Sequence, residues 1–212
     1  MSKMFVALPS HKSYVELFSG TRSGITKKLP VANETYNDST EDVTNLFAIV
    51  RNDATRFVKY VIGEIESVPE DAYRKDKWVR AKELYVDFAS NRIDAKLSKF
   101  KGFHEMTRKS SHALKEVSTE LYDVMRRLRC VQYEGRRFDD ILGRFDDKDT
   151  LFYVDVTRLP EDVSHEEVVY NLLKMKGKGI LYGASGDAYE QLIDEGWFAV
   201  EDEPGTWVNY RV

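Results

Sequence analysis

The sequence predicts an α/β fold: a mostly parallel, doubly wound sheet that ends in an antiparallel hairpin and carries a small helical insertion. Short β-prone runs alternate with stretches of helical periodicity along the chain. The last two β-prone runs flank a turn sequence, Asp202-Glu203-Pro204-Gly205. A chain of 212 residues is long enough for one such domain with a small inserted lobe.

The first part of the chain begins with two predicted strands. Tyr14–Phe18 is β-prone and runs into a Ser-Gly turn, and Asn33–Tyr36 forms a second strand that leads to Asp38. From Glu41 onwards apolar residues recur at helical spacing. This pattern predicts one helix, which the segment around Pro69 ends.

The middle of the chain predicts helices and a basic loop. A helical pattern surrounds Trp78, a basic loop covers residues 99–104, and residues 112–128 have the pattern of an amphipathic helix. We therefore divide the chain into an α/β domain, residues 1–66 and 129–212, and a helical insertion, residues 67–128.

Strands and helices alternate again in the last third of the chain. The predicted strands are Val131–Tyr133, Leu151–Asp155, Gly179–Leu181, Phe198–Glu201 and Thr206–Tyr210. The predicted helices are Phe138–Phe145, Ser164–Met175 and Asp187–Ile193. Ser164 and Glu167 have the Ser-x-x-Glu spacing of a capping box.

Charge is distributed unevenly along the chain, although its net value is only −4. Residues 92–137 contain 12 basic and 6 acidic side chains, whereas residues 138–212 contain 7 basic and 17 acidic ones. A basic middle segment is typical of an insertion that faces nucleic acid, and equally of a solvated helical surface. Charge sums do not separate these two interpretations.

The composition indicates a soluble globular protein. Hydrophobic residues make up 42% of the chain and charged residues 32%, and no apolar run reaches the roughly 20 residues of a membrane helix. The single cysteine, Cys130, excludes an intramolecular disulfide and predicts a cytoplasmic location. Because it ends an amphipathic helix, we expect a buried structural thiol. The four histidines lack the spacing of metal ligands, so we expect no metal site.

Three segments resemble the Dam-like DNA adenine-N6 methyltransferase family: Tyr14–Gly20, Asn37-Asp38 and Leu151–Asp155. The resemblance covers roughly residues 10–66 and 129–210. It implies a Rossmann-like methyltransferase fold in which residues 67–128 correspond to a reduced target-recognition segment.

The catalytic tetrapeptide of this family, Asp-Pro-Pro-Tyr, is degenerate in this chain. Asp155 matches its aspartate, but Val156, Thr157 and Arg158 replace the other three residues. Methylation of adenine requires the base to be flipped out of the duplex and stacked on an aromatic ring. Arginine replaces that aromatic ring, so the resemblance implies that methyl transfer has been lost.

The resemblance also implies a degenerate S-adenosylmethionine site. Phe18, Gly20 and Asp38 match cofactor-binding positions of the family. Arg22 stands where a second small residue is usual, and Arg137 stands where a carboxylate usually accepts from the cofactor's adenine. We therefore expect no cofactor, and S-adenosylmethionine only if this remnant still works.

The sequence leaves two interpretations open for Arg22, Arg137 and Arg158. On the resemblance, all three lie at the carboxyl ends of strands, where doubly wound folds bind ligands. There they could bind a phosphate or carboxylate. Alternatively, they fill the former pocket and pair with its acids, which are Glu16, Asp38 and Asp155.

Three functional hypotheses follow. The first is a pseudo-methyltransferase that binds DNA through basic side chains, the candidates being Lys96, Lys99, Lys101, Arg108, Lys109, Arg126, Arg127 and Arg129. The second is a protein-interaction or inhibitor module of phage or mobile-element origin, which would use the acidic C-terminal third. The third is residual S-adenosylmethionine-dependent methylation of adenine in DNA.

Overall fold

A computed structural model describes residues 8–20, 23–38, 40–65, 76–85, 119, 122–200 and 204–210. The chain forms two compact units. The helical unit comprises Met1, Thr21–Lys27 and Thr40–Val131, and the sheet unit comprises Ser2–Gly20, Lys28–Ser39 and Gln132–Val212. The domain boundaries at residues 66 and 129 stay a prediction.

The described residues of the sheet unit form a seven-stranded mixed sheet. Its strands are β1 Ser13–Leu17, β2 Asn33–Asn37, β3 Gln132–Glu134, β4 Thr150–Asp155, β5 Lys178–Tyr182, β6 Phe198–Ala199 and β7 Trp207–Val208. Their order is β3-β2-β1-β4-β5-β7-β6. Strands β1 to β5 run parallel, and β7 is antiparallel to both β5 and β6. The predicted α/β class, with a mostly parallel sheet ending in an antiparallel pair, is confirmed.

The carboxyl ends of β2, β1 and β4 lie at one level of the sheet. Leu17, the last residue of β1, pairs with Asn37 of β2 and with Val154 of β4. The chain progresses from β1 to one side through β2 and β3, and from β4 to the other side through β5. The boundary between β1 and β4 is therefore the topological switch point, where doubly wound sheets bind ligands beyond the strand ends.

One face of the sheet is apolar and is covered by helices. Val15 and Leu17 of β1 and Val154 of β4 belong to a buried cluster with helices α3 Phe138–Phe145 and α4 His165–Leu172. Successive strand residues point to opposite faces, so this alternation separates an apolar face from a polar one. The α3 bounds agree with the sequence prediction.

The opposite face of the sheet is buried although it carries polar side chains. Tyr14, Glu16, Tyr36 and Tyr153 occupy alternate positions on β1, β2 and β4, and each is at most 3% exposed. Buried polar groups are costly unless they are hydrogen-bonded. The network described below meets this requirement around Glu16 and Tyr36.

Several predicted elements are shorter than expected. The helix after β4 ends at Leu172 rather than Met175, and the Asp187–Ile193 segment divides into a 3₁₀ turn, Asp187–Tyr189, and α5 Gln191–Asp194. Half of the capping box is present: the Ser164 hydroxyl accepts from the Glu167 amide at 3.1 Å. The Glu167 carboxylate binds Arg137 instead.

The helical unit departs from the sequence prediction in one described helix and in its cysteine. The single helix predicted from Glu41 is two helices, α1 Glu41–Asn52 and α2 Ala54–Val61, because Asp53 has a non-helical φ of −141°. Cys130 is exposed, so the prediction of a buried thiol is wrong. Residues 76–85 and 122–129 are helical. The basic loop 99–104 and most of the predicted helix 112–128 lie outside the described residues.

Candidate functional site

The residues matched to the methyltransferase family meet at the carboxyl edge of the sheet. Gly20 follows β1, Asp38 follows β2, and Asp155 is the last residue of β4. Because these strands are parallel neighbours in register, their ends lie side by side. The fold thus brings three of the predicted site residues to the switch point.

Phe18 turns away from this edge. Strand alternation would place it on the polar face with Glu16, but its backbone is left-handed, with a φ of 61°. Its ring instead belongs to the apolar cluster and packs on Phe138, with 5.4 Å between ring centroids. A positive φ is uncommon outside glycine and strains the backbone. Phe18 is therefore a core residue in this structure.

Glu16 is a fully buried carboxylate held by two neutral donors. The Tyr14 hydroxyl donates to its Oε2 at 3.1 Å, and the Ser19 hydroxyl donates to its Oε1. Burial, reinforced by the Glu16 charge, raises the pKa of Tyr14 well above its ordinary value. Tyr14 therefore stays a neutral donor, and the two hydroxyls anchor the turn after β1.

Tyrosines of β2 and β3 fix the loops that follow β1 and β2. The Tyr36 hydroxyl donates to the Gly20 carbonyl at 2.6 Å and lies 3.4 Å from the Asp38 Oδ2 atom. Burial, followed by the Asp38 charge, raises the pKa of Tyr36 well above its ordinary value, so it remains a donor. The Tyr133 hydroxyl donates to the Asp38 carbonyl. The turn at Gly20 and the carboxylate at Asp38 are thus held in place from the neighbouring strands.

Asp155 caps the turn that follows β4. Its side chain is fully buried, and its Oδ1 accepts from the Thr157 amide at 3.0 Å and from the Thr157 hydroxyl at 2.5 Å. The Oδ2 atom has no hydrogen-bond partner among the described residues. Val156–Arg158 form a 3₁₀ turn under this cap. The aspartate therefore has a structural role in this chain.

Two side chains of this turn pack against glycines that have a positive φ: Arg158 against Gly20, and Thr157 against Gly183. A β-carbon on Gly20 would lie 3.0 Å from the Arg158 Nη1 atom, and one on Gly183 would lie 2.1 Å from the Thr157 methyl carbon. The φ angles of Gly20 and Gly183 are 51° and 78°. Arg158 therefore extends from β4 across the switch point to the turn after β1.

Arg137 does not pair with Glu16, Asp38 or Asp155. Its guanidinium binds Asp139 at 3.0 Å, Asp162 at 3.4 Å and, most closely, Glu167. Hydrogen bonds to Asp139 and Glu167 raise the pKa of the Arg137 guanidinium. The second of the two interpretations, pairing with Glu16, Asp38 or Asp155, is therefore wrong for Arg137, whose partners lie in α3, in α4 and in the loop before α4. Arg22 lies outside the described residues.

The basic candidates for DNA binding are only partly described. Arg126 and Arg129 are exposed on the helical segment 122–129, and Arg126 pairs with Asp123 one turn earlier. Arg127 is half-buried. The other five candidates, Lys96, Lys99, Lys101, Arg108 and Lys109, lie outside the described residues.

Sequence reasoning missed the residues that hold the site together. Ser19, Thr157, Tyr133 and Gly183 are identified by their contacts. One signal was available for Gly183, since a glycine directly after a buried strand indicates a tight turn or a close approach. The hydroxyl contacts depend on which strands are neighbours, and local sequence does not contain that information.

Comparisons with known proteins give no assignment. No protein-family model matches the chain, and no curated protein matches it. Within the described ranges, no helix combines the length and apolar character needed to cross a bilayer. The same residues contain no group of three or more His, Cys, Asp or Glu side chains placed to hold a metal ion.

Proposed function

We propose that this protein is a degenerate homologue of the Dam-like DNA adenine methyltransferases, which binds DNA without methylating it. The observation that carries the proposal is the position of Arg158. Its guanidinium lies against Gly20, the glycine that matches the cofactor turn of the family. The side chain therefore takes the space that a glycine at this position leaves for a ligand.

The sheet supports the methyltransferase part of the proposal. The order β3-β2-β1-β4-β5 is that of a doubly wound fold with one switch point, and an antiparallel pair follows it. The resemblance implies this Rossmann-like arrangement, including the terminal hairpin. It also implies that Gly20, Asp38 and Asp155 meet at the strand ends, as they do here.

Electrostatics argues against S-adenosylmethionine in this site. The cofactor carries a sulfonium cation, and the side chain of Arg158 ends in a guanidinium, which is also a cation. Two like charges at about 4 Å repel by roughly 1 kcal/mol in water and by more where water is excluded. Arg158 would have to move away before a cofactor could approach the Gly20 backbone.

Catalysis would also lack its substrate contacts. The Asp155 Oδ1 atom is occupied by Thr157, and the whole side chain is buried. An arginine stands in place of the aromatic ring on which a flipped base would stack, and such stacking is worth roughly 1–3 kcal/mol. These features favour a protein that acts by binding.

Calorimetric titration with S-adenosylmethionine tests the loss of catalysis. We expect no binding at micromolar cofactor and no methyl transfer to unmodified duplex DNA in a radiolabel assay. Asp155→Ala provides the baseline of the methyl-transfer assay. Micromolar cofactor binding, or transfer above that baseline, would contradict the proposal.

A salt series tests DNA binding. When contacts to phosphates dominate binding, the logarithm of the binding constant falls linearly with the logarithm of the salt concentration. The slope is about −0.9 for each neutralised phosphate. Substituting glutamine for the exposed Arg126 and Arg129 should make this slope shallower by about one for each arginine that contacts a phosphate. Arg136→Gln, an exposed arginine beside Glu134 in the sheet unit, is the control. Absence of binding at low salt would contradict the proposal.

A further inference from the structure

Arg158 presents an exposed cation at the switch point. No carboxylate or other acceptor among the described residues binds its guanidinium. A guanidinium carries five N–H donors and needs acceptors for them. Arg158 can therefore bind an acceptor from outside the protein.

Two of the three candidate acids, Glu16 and Asp155, already have neutral donors. Glu16 accepts from the hydroxyls of Tyr14 and Ser19, and Asp155 accepts twice from Thr157. Neither carboxylate is bridged to Arg158 by a hydrogen bond. Arg158 therefore does not act as the counter-ion of either carboxylate.

Arg137 shows the opposite arrangement in the same unit. Three carboxylates, those of Asp139, Asp162 and Glu167, surround its guanidinium and leave it no role toward an added anion. Of the two arginines of this group that the structure describes, only Arg158 can bind an anionic ligand.

We infer that Arg158, which lies beside Gly20 at the switch point, binds a phosphate at the position where the methyltransferase family binds its cofactor. The planar fork of an arginine matches two oxygens of a phosphate, and ligands of doubly wound folds bind at this edge. The phosphate belongs either to the DNA backbone or to a free nucleotide. This inference rests on the proposed function, because the site has to be free of S-adenosylmethionine.

Thermal unfolding of the full chain with added inorganic phosphate tests the site. With ionic strength held constant by chloride, phosphate should raise the Tm of the wild type, as expected when a ligand binds the folded state. Arg158→Gln should bind phosphate about tenfold more weakly or worse, and Arg158→Lys should fall between them. Arg144→Gln is the control, since this exposed arginine pairs with Glu134. Equal phosphate responses in wild type and Arg158→Gln would overturn the inference.

A second pair of measurements identifies the source of the phosphate. If a nucleoside 5′-monophosphate binds with the same dependence on Arg158, the ligand is a free nucleotide. If Arg158→Gln instead reduces the salt slope of duplex binding by about one, the ligand is a backbone phosphate. If Arg158→Gln changes neither nucleotide binding nor the salt slope of duplex binding, the inference is overturned.

The two proposals fail in different ways. Micromolar binding of S-adenosylmethionine to the wild type would overturn the proposed function and this site with it. If the protein binds no S-adenosylmethionine, and Arg158→Gln changes neither phosphate and nucleotide binding nor the salt slope of duplex binding, the phosphate site alone is overturned.

Discussion

The guanidinium of Arg158 lies against the backbone of Gly20, with its Nη1 atom 3.0 Å from where a β-carbon would stand. Arg158 comes from the turn after β4 and Gly20 from the turn after β1. The contact therefore joins the two strands that border the switch point. The contact depends on both residues, because the missing side chain of Gly20 leaves the space that the Arg158 guanidinium occupies.

Gly20→Ala should destabilise the protein by about 1–2 kcal/mol. The backbone at Gly20 has a φ of 51°, which costs about 1 kcal/mol for a residue with a β-carbon. The new methyl group would also displace the Arg158 guanidinium. Urea denaturation measures the change, and an alanine variant as stable as the wild type would contradict this account of the contact.

Two further variants separate these contributions. In an Arg158→Ala background, Gly20→Ala should retain only the backbone cost, about 1 kcal/mol. Gly143→Ala is the control, because nothing lies within 4 Å of its β-carbon position inside α3. Alanine there should raise stability by roughly 0.5–1 kcal/mol.

Gly183→Ala should be more damaging, by about 2–4 kcal/mol. Its β-carbon would lie 2.1 Å from the Thr157 methyl carbon, and the φ of Gly183 is 78°. The Thr157 hydroxyl donates to Asp155 at 2.5 Å, which fixes the side-chain rotamer and keeps the methyl group from swinging away. Thr157→Ser keeps the hydroxyl and removes the methyl group. In that background the cost of Gly183→Ala should fall by about 1–3 kcal/mol, and equal costs in both backgrounds would rule out the clash.

Asp155→Ala should lower stability by about 1–2 kcal/mol and leave DNA affinity unchanged. The change removes the acceptor of the Thr157 amide and hydroxyl, which is equivalent to the loss of a helix cap. Asp155→Asn keeps an acceptor oxygen in the same place and should lose less. Chemical denaturation and DNA titration of both variants check the prediction. A loss of DNA affinity at full stability would instead indicate that Asp155 contacts the ligand.

Much of the sheet could be predicted from the sequence because its signals are local. Apolar periodicity located α3, and the run ending at Asp155 located β4 to within one residue. The break between α1 and α2 at Asp53 could not be predicted, because no proline or glycine marks it in the sequence. Likewise, the left-handed backbone at Phe18 reversed the face expected from strand alternation.

The environment of Arg137 and Arg158 could not be predicted, because it depends on contacts distant in sequence. Arg137 binds Asp162 and Glu167, which lie 25 and 30 residues further along the chain. The sequence left two interpretations open for these arginines, binding of an anion or pairing with the candidate acids Glu16, Asp38 and Asp155. In the structure, hydroxyl and amide groups donate to Glu16 and to the Oδ1 atom of Asp155, which composition does not reveal.

His11 predicts a loss of stability in mild acid. Its Nδ1 atom donates to the Pro9 carbonyl at 2.6 Å, while its buried Nε2 atom has no partner among the described residues. Burial is the largest effect on His11 and lowers its pKa; the hydrogen bond to the Pro9 carbonyl raises the pKa, and the charges of Lys28 and Lys178 lower it further. A proton on Nε2 would therefore be a buried charge without an acceptor.

The sign of the pH effect follows from this pKa. Because the pKa of His11 in the folded protein lies below its ordinary value of 6.5, the unfolded chain binds the proton more readily. The stability contributed by the neutral ring is complete above pH 6.5 and is lost as the pH falls through the lower, folded-state value. His11→Asn keeps a donor for the Pro9 carbonyl and removes the titration. Urea midpoints measured from pH 7.5 down to 5 should therefore fall more steeply for the wild type than for His11→Asn, whereas parallel curves would exclude His11 as the cause.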